Sequence, residues 1–570
     1  MKRHTLPALA IALLVVSACR NLPPRSEGPV VGSNGLSAEA RQAFYHTPEG
    51  SELVPASWVF ALQQPGTGKP FLENIERFGL LRDEDPLNRS GLPIGLTTGE
   101  RRGIGVQMLG INCAACHVNE IEYKGTRIRI DGAPNMFDIA GFYAELRAAI
   151  EEIAKPVQGL KFIARLKLHP EGLRIDGIQE SSVDAVENRS PIPAGRPNAL
   201  SEVEYLAKHP ALVKSYLTML VRLSSARINP SLGDTPPGFG RADAFGTARV
   251  LLFGLDQRIA LDAPASFPHL WGLDQSRWIH WIANSNSVMQ RNIGEALGLG
   301  ASADPKTGES TIRLDNLHQL ETLVYSLKSP TWPEAVMGAI QQDRAARGKT
   351  LYDAHCWECH DNSGDPDAAG RFAYRLFRPG TADGSSRTTP SVVATDPGEA
   401  QNFSRRIGEL SFARAQTGIL SAIEKWYYEK NNVPLSTQRE WNRGREPAVW
   451  RDINDMDGNA YTAKPLAGIW ATAPYLHNGS VPTVDDLLSP ADKRPVTFSV
   501  GQREYDPEKL GYLQTAKGPF TFDTRQKGNR NFGHEIPGTL NWTGAEKRDL
   551  LEFLKTVTAR VEKGPYATPR

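Results

Sequence analysis

Cysteine is scarce in this sequence, with five residues in a chain of 570. Charge of one sign is scarce too: 65 Lys and Arg balance 64 Asp and Glu, so no strong field favours binding to nucleic acid. Beyond the N-terminal region, no apolar run is long enough for a transmembrane helix. These shortages count against a disulfide-rich fold, a nucleic-acid-binding protein and a membrane-spanning protein. The length exceeds what one hydrophobic core usually serves and predicts two domains or more.

The N-terminal region has the pattern of an export signal. The basic "MKRH" precedes the apolar run "LPALAIALLVV", which is too short to cross a bilayer. The next letters, "VSAC", resemble a bacterial lipobox, so we expect residues 1–19 to be a lipoprotein signal peptide with Cys19 as the lipid anchor. Simple secretion, with Cys19 incidental, is the alternative. Residues 20–36 are rich in Pro, Gly and Ser and predict a flexible tether.

The remaining cysteines form two Cys-x-x-Cys-His motifs: Cys113, Cys116 and His117, then Cys356, Cys359 and His360. Two thiols at this spacing can each form a thioether with a vinyl group of one haem. The histidine that follows supplies an axial nitrogen to the iron. The sequence therefore predicts two covalently bound c-type haems.

Two alternatives use the same cysteines. Both pairs together form a Cys₄ set for zinc, but zinc ribbons usually keep their pairs close, and Cys356 is far along the chain from Cys116. Each pair is also a thioredoxin-like dithiol pattern. Neither alternative explains a histidine directly after both pairs.

Each motif is preceded by a segment that we interpret as a helix. Before the first motif, Thr97 and Glu100 fit a capping box, and Ile104, Met108 and Ile111 recur at helical spacing.

Before the second motif, Ala345, Gly348 and Tyr352 share one helical face. Because glycine weakens a helix, Gly348 predicts a close helix crossing. This similar frame around the two motifs suggests a diverged internal repeat.

Each half also closes with an amphipathic pattern. The first has an apolar stripe before Pro330: Leu317, Leu320, Val324 and Leu327. The second has a capping box and then a stripe: Thr543 and Glu546, followed by Leu550, Phe553, Leu554 and Val557. We therefore predict a mainly α fold with two cytochrome c-like haem domains, residues 37–330 and 340–570, that carry long loop-rich insertions.

Longer strings resemble a known family. "ATAPYLHNGSVPTVDDLL" is similar to a segment of bacterial dihaem cytochrome c peroxidases. Five further strings resemble one branch of that group, the dihaem rubber oxygenases: "GLPIGLT", "GRADAFGTARVLLFG", "APASFPHLWG", "RNIGEALG" and "GNRNFGHE". The resemblance covers nearly the whole chain after the signal region.

The resemblance implies a second histidine ligand on the C-terminal haem. It places that ligand in "GHE", at His534. Residue type alone leaves His477 and Met456 as alternatives, since a thioether also ligates cytochrome iron. We favour His534 and interpret His477 as a histidine that orders its own loop.

For the N-terminal haem, the resemblance implies no strong second protein ligand, so that dioxygen or peroxide can reach the iron. It places Ala244 and Phe245 on the distal side, as residues of the catalytic pocket. A plain core role for Phe245 is the alternative. None of the other histidines stands out as a ligand: His169, His209, His269 and His280.

Two weaker patterns complete the candidates. Trp271, Trp278 and Trp281 stand near one another and either couple the haems or simply pack. The oxygen-rich "DINDMDGN" at 452–459 offers ligands for calcium, but it does not match an EF-hand loop, so turn chemistry is the default interpretation.

The sequence thus predicts an exported dihaem oxidoreductase, in which the N-terminal haem activates peroxide or dioxygen and the C-terminal haem transfers electrons. A non-catalytic electron carrier is the alternative. The expected partners are a small redox protein or quinol-linked donor, and peroxide, dioxygen or an apolar organic substrate, with no nucleic acid. The expected location is the bacterial cell envelope, as a periplasm-facing or outer-membrane lipoprotein, or outside the cell.

Overall fold

The computed structural model describes residues 30–32, 34–100, 107–168, 228–254, 256, 258–380, 395–536 and 538–563. The signal peptide, Cys19, most of the tether, His169 and His209 lie outside these residues. None of the helices described here is long and apolar enough to cross a membrane.

Helices are the longest elements. In chain order they are α1 (Ala38–His46), α2 (Ala56–Ala61), α3 (Ala114–His117), α4 (Ile139–Ile153), α5 (Pro156–Leu168), α6 (Ala244–Phe253), α7 (Val288–Gly298), α8 (Leu314–Ser326), α9 (Glu334–Met337), α10 (Gln342–His355), α11 (Trp357–His360), α12 (Gly398–Ser404), α13 (Phe412–Lys430), α14 (Leu435–Trp441), α15 (Val484–Leu487) and α16 (Gly544–Thr556).

The strands are short. They are β1 (Val30–Val31), β2 (Val54–Pro55), β3 (Leu96–Glu100), β4 (Gln107–Ile111), β5 (Val118–Tyr123), β6 (Thr126–Asp131), β7 (Arg241–Ala242), β8 (Ala265–Ser266), β9 (Leu376–Phe377), β10 (Arg406–Ile407), β11 (Leu410–Ser411), β12 (Tyr461–Thr462), β13 (Thr497–Val500), β14 (Tyr505–Asp506), β15 (Gly511–Tyr512) and β16 (Phe520–Asp523). They form small sheets, of which β2-β4-β3 and β1-β6-β5 frame the first motif. The prediction of a mainly α fold is therefore met in part, because short sheets accompany the helices.

The helix predicted before the first motif is wrong. Residues on both sides of 101–106 form the antiparallel strands β3 and β4, with Leu96 opposite Ile111 and Thr98 opposite Leu109. The supposed capping box, Thr97 with Glu100, lies within β3. The segment is rich in glycine, which disfavours a helix. Gly110 is also needed in β4, because a Cβ at this position would overlap the carbonyl oxygen of Ser51. The two motifs therefore do not share one frame.

The helices predicted around the second motif are confirmed. α10 ends at His355, directly before the motif, and buries Ala345, Gly348 and Tyr352. It crosses α16, whose Thr543 and Glu546 make the expected capping box. A Cβ on Gly348 would overlap the carbonyl oxygen of Asp549 in α16. The glycine is thus required by a close crossing of the two helices.

Three hydrophobic cores fill the described part of the chain. The N-terminal core contains Phe78, Phe137, Phe142 and the haem-motif residue Cys116. Each of the other two cores contains residues from both the N-terminal and the C-terminal half of the chain. The shared core packs residues of α8 with residues of α10 and α16, and the third core packs α7 with α12 and α13. Hydrophobic packing therefore continues between the residues before and after the predicted domain boundary near residues 330–340.

Candidate haem sites

The first motif forms a single helical turn, α3, between β4 and β5. Asn112 fixes its start: its side-chain oxygen accepts from the backbone N–H of Ala114 (3.0 Å), and its amide donates to the carbonyl of Thr47 (2.9 Å). Both thiols are deeply buried, with Cys113 7% and Cys116 5% exposed, and neither is in a disulfide. The turn therefore presents two free thiols and an imidazole in the protein interior.

The ring of His117 is held in one tautomer. Its Nδ1 lies 2.9 Å from the carbonyl oxygen of Pro268. A carbonyl oxygen can only accept, so Nδ1 carries the proton and Nε2 keeps a free lone pair. Burial lowers the pKa of His117 to about 4, which keeps the ring neutral. A neutral imidazole with a free Nε2 is what an iron ligand requires, and the hydrogen bond to Nδ1 orients it.

The second motif repeats this arrangement with different partners. His360 ends α11, and its Nδ1 lies 2.7 Å from the carbonyl oxygen of Lys464. Cys356 and Cys359 are free and only half-buried, unlike the first pair. In the described residues no group of three or more His, Cys, Asp or Glu could hold a metal ion, so the Cys₄ zinc alternative has no support. Each motif offers a donor set that fits a covalent haem.

The residue after the second motif fastens the C-terminal segment to it. The Asp361 carboxylate accepts hydrogen bonds from the Tyr352 hydroxyl and from the backbone N–H of Val561, the latter at 3.0 Å. Trp357 donates its indole N–H to the carbonyl of Val561 at 2.8 Å. The segment after α16 thus folds back across α11 and fixes the turn that carries His360.

His534 lies opposite His360. Their ring centroids are 6.4 Å apart, and the ring planes make an angle of 51°. His534 adopts a left-handed backbone conformation (φ 55°), and its buried Nδ1 has no hydrogen-bond partner. Burial lowers its pKa to about 3, so this ring is neutral as well. The structure brings these two histidines together as a facing pair.

The alternative ligands lie in other surroundings. His477 packs on Tyr461 with ring centroids 4.3 Å apart, and its Nδ1 lies 3.2 Å from the Thr395 hydroxyl. Its carbonyl accepts from the backbone N–H of Ser266 at 2.8 Å, so His477 orders a buried loop. Met456 is buried in the third core.

Ala244 and Phe245 begin α6, where the Asp243 carboxylate caps the helix by accepting from the N–H of Gly246. Ala244 is exposed and Phe245 is half-buried. The Phe245 ring contacts Phe403 with centroids 4.5 Å apart, and it meets the ring of His280 edge-on at 5.7 Å. Phe245 therefore lies where an aromatic cluster of the third core meets His280.

Several polar residues near the first motif were not singled out by sequence analysis. Glu49 lies against Cys113, with its carboxylate 3.4 Å from the sulfur. Arg291 pairs with Glu295 one turn along α7, at 2.5 Å, and both act on the pKa of His117. Each of these three residues lies far from the motif in sequence, so no pattern around the motif indicates that it is close in space. The Arg291–Glu295 spacing of four was the one available signal.

Trp271 connects the two sites. Its indole N–H donates to the carbonyl of Ala467 at 2.8 Å, which joins segment 268–271 to segment 464–467. The first segment contains Pro268, whose carbonyl accepts from His117, and the second contains Lys464, whose carbonyl accepts from His360. His269 stacks on Trp271 with centroids 4.7 Å apart. A cavity of 770 Å³ lies beside this link and is lined by His269, Trp271 and Lys464.

The other two tryptophans have separate packing roles. Trp278 packs under the guanidinium of Arg451, 3.6 Å from its ring centroid. Trp281 donates its indole N–H to the carbonyl of Ser266 at 2.8 Å. Trp271 joins the two histidine-holding segments by a hydrogen bond, and Trp281 also contacts Lys464, whose ammonium lies 5.6 Å from its ring centroid.

The oxygen-rich segment 452–459 is built as a turn. The Asp452 carboxylate accepts from the backbone N–H of Asn454 at 2.8 Å, and Asp455 accepts from that of Asp452 at 3.0 Å. Asp455 also pairs with Arg414 at 3.2 Å. These contacts are the turn chemistry taken as the default, and the calcium prediction gains no support from them.

Comparison with known proteins adds to this geometry. Residues 345–415 match the family Cytochrome c, and residues 460–499 match the family RoxA-like, cytochrome c-like. The first range includes Cys356, Cys359 and His360. Cytochrome c segments carry covalently bound c-type haem, so this is a haem-based redox protein.

Two relatives are both proteins of Sinorhizobium fredii (strain NBRC 101917 / NGR234). Uncharacterized protein y4iJ is 30% identical over 597 aligned residues, which cover 91% of this chain and 92% of y4iJ. Uncharacterized protein y4iM is 38% identical over 311 residues, which cover 51% of this chain and 63% of y4iM. This chain therefore belongs to the family of y4iJ, a family of cytochrome c type with a RoxA-like segment.

Proposed function

We propose that this protein is a dihaem oxidoreductase in which the first haem, at Cys113, Cys116 and His117, activates a small oxidant with an O–O bond. The second haem, at Cys356, Cys359 and His360, supplies electrons to it. The resemblance to dihaem peroxidases and rubber oxygenases and the RoxA-like match at residues 460–499 both support this proposal.

The observation that carries the proposal is the difference between the two sites. His360 faces His534 at 6.4 Å, a separation that suits one iron held between two imidazoles. The ring of His117 has Phe267 as its aromatic neighbour, at 6.2 Å. Within the described residues no histidine makes a ring contact with His117 like that of His534 with His360, and the half-buried His269 is related to His117 through the effect of the His117 charge on the pKa of His269. A second haem closed by two histidines suits electron transfer, and a first haem with one histidine leaves a position for an oxidant.

The chain's own residues define the parts of this activity. When bound, the haems supply the electrons and the place where the oxidant binds. The carbonyls of Pro268 and Lys464 hold the Nδ1 protons and so aim both Nε2 atoms. Trp271 links the two segments that carry these carbonyls and gives a short covalent and hydrogen-bonded route between the sites. Phe245 contributes an apolar surface that excludes water from the oxidant.

The remaining expectations complete the proposal. The donor is a small redox protein or a quinol-linked donor, and the oxidant is peroxide or dioxygen, with an apolar organic molecule as co-substrate in the latter case. Cys19 is the lipid anchor that holds the protein in the bacterial cell envelope.

Carbon monoxide titration tests the central claim, because this ligand binds reduced iron that has an open position. The reduced holoprotein should bind one equivalent per chain, and the half-reduced protein has to be titrated as well. Absorption and EPR spectra should show one low-spin haem with two histidine ligands. Two low-spin haems that bind no carbon monoxide in any redox state would replace this proposal with an electron carrier.

A further inference from the structure

His280 is a histidine to which the proposed function gives no task. This half-buried histidine adopts a left-handed backbone conformation (φ 68°), which is costly for a residue other than glycine. Strain of this kind persists only where surrounding contacts enforce it. The N–H of Ile279 donates to the carbonyl of Ser285 at 2.8 Å, and Arg451 donates from Nε to the carbonyl of Ala283 at 2.9 Å. The turn therefore holds His280 in a fixed position.

The imidazole of His280 is also fixed. Its Nδ1 lies 2.6 Å from the side-chain oxygen of Asn284, a fully buried residue. An amide oxygen only accepts, so Nδ1 carries the proton and Nε2 keeps its lone pair. No protein hydrogen bond to Nε2 is recorded within the described residues. The ring meets Phe245 edge-on at 5.7 Å, so His280 borders the surface proposed for the oxidant.

A chain of contacts through neighbouring residues connects His280 with the first motif. Phe267 touches the His117 ring, and the neighbouring Ser266 carbonyl accepts from the indole of Trp281, the residue after His280. The charge of Arg291 acts on both His117 and His280, and Lys464 acts on His280 as well. Burial of the ring, and then these cations, keep His280 neutral, with its pKa lowered to about 3. The Nε2 lone pair is therefore unprotonated throughout the ordinary pH range, and the ring can hold a proton only transiently, as a weak base that passes it on.

We propose that His280 is the proton acceptor on the oxidant side of the first haem and that Asn284 is its positioning residue. This inference rests on the proposed function and narrows the oxidant to a weak acid, peroxide. Nε2 takes the proton from the peroxide oxygen that stays at the site and gives it to the other oxygen as the O–O bond breaks. That oxygen leaves as water. Peroxide gains two electrons, which the haems lose and the external donor replaces, and two further protons from solvent complete the second water.

Hydrogen cyanide is a probe for this acceptor, because it binds ferric haem as the anion and must give up its proton. Carbon monoxide needs no proton transfer and reports whether the site itself is intact. In His280→Gln, the cyanide association rate measured by stopped flow should fall about a hundredfold or more, while carbon monoxide still binds at one equivalent. His318→Gln is the matched control. His318 is a partly buried histidine stacked on Trp441, remote from the motif, and its replacement should leave both measurements unchanged.

A second pair of variants keeps the test decisive if His280→Gln does not fold. Asn284→Asp retains an acceptor for Nδ1–H and should keep the cyanide rate, whereas Asn284→Ala should lower it about tenfold or more. A His280→Gln rate within about threefold of the parent, with carbon monoxide still bound, overturns the assignment but leaves the proposed function standing. A change of the first haem from low spin to high spin in His280→Gln would make His280 an iron ligand and also overturn it. A parent protein that binds neither probe in any redox state overturns both proposals.

Discussion

Replacing His534 should open the second haem to external ligands. The centroids of His360 and His534 are 6.4 Å apart. The expected centroid separation for two imidazoles on one metal ion is about 6 Å. It is the sum of two metal–nitrogen bonds of about 2 Å each and two distances of about 1 Å from a nitrogen to its ring centre. The pair therefore fits one iron with only a few tenths of an ångström of adjustment. Without the second ring, the iron loses its sixth ligand and the haem should change from low spin to high spin.

Two variants separate this effect from a folding defect. His534→Ala keeps the unfavourable left-handed backbone, whereas His534→Gly removes that strain, because glycine accepts a positive φ. Both should show high-spin EPR and absorption features, and both should bind two carbon monoxide molecules per chain in place of one. His477→Ala should retain one. If both His534 variants keep the low-spin spectrum and His477→Ala loses it, His477 is the ligand and the reasoning from ring separation is refuted.

Three further outcomes follow from the structure. Cys113→Ser and Cys356→Ser should each lower the covalent haem content by one, from two, as measured by mass spectrometry of the denatured chain; a parent value of one would contradict one of the motifs, and a value of zero would contradict both. Gly348→Ala should destabilise the fold by roughly 1–3 kcal/mol in denaturant titrations, because its Cβ would overlap the crossing helix. Gly418→Ala, in an uncrowded part of α13, should stabilise it by about 0.5–1 kcal/mol, so equal effects would refute the crossing argument. Burial raises the pKa of Glu424 to about 7, above about 4.3 in an unfolded chain. The folded state then binds more protons between these values, so this group makes stability fall as pH rises from about 4 to 7; Glu424→Gln should make the slope shallower by the share of one carboxyl, because Glu321 and Glu399, with pKa values raised to about 8, keep their own, and an unchanged slope would refute the contribution of Glu424.

The sequence was most informative where the signal is local. The capping box of Thr543 and Glu546 and the buried face of α10 depend on residues within a few positions of one another, and both were predicted correctly. Gly348 was interpretable because a glycine in a helix has few other reasons to be there. The segment before the first motif shows the limit of such patterns. Ile104, Met108 and Ile111 fit a helical period, but Ile104 lies outside the described residues, and the pairing of β4 with β3 places Met108 and Ile111 in a strand.

The parts of the sites that could not be predicted are those supplied by distant backbone. Pro268 and Lys464 hold the two histidines through their carbonyl oxygens, which every residue has, so no side-chain pattern identifies them. Glu49 reaches Cys113 from a segment far away in sequence. The His360–His534 pair was suggested only by resemblance, because nothing in the spacing of these residues indicates that they face one another.

The unequal burial of the two cysteine pairs has a consequence for how the protein is assembled. Cys116 is enclosed by the N-terminal core and Cys113 by the shared core, and burial raises the pKa of both thiols well above the ordinary range. Thioether formation needs a thiol that the haem and its attachment enzymes can reach. Under the proposed function, the first haem would have to be joined to the chain before the packing around Cys113 and Cys116 closes, whereas the half-buried Cys356 and Cys359 would stay reachable for longer. Under the proposed function, a shortage of haem during assembly should therefore leave the first site empty more often than the second, and mass spectrometry of the denatured chain should then find chains that carry one haem, at Cys356 and Cys359.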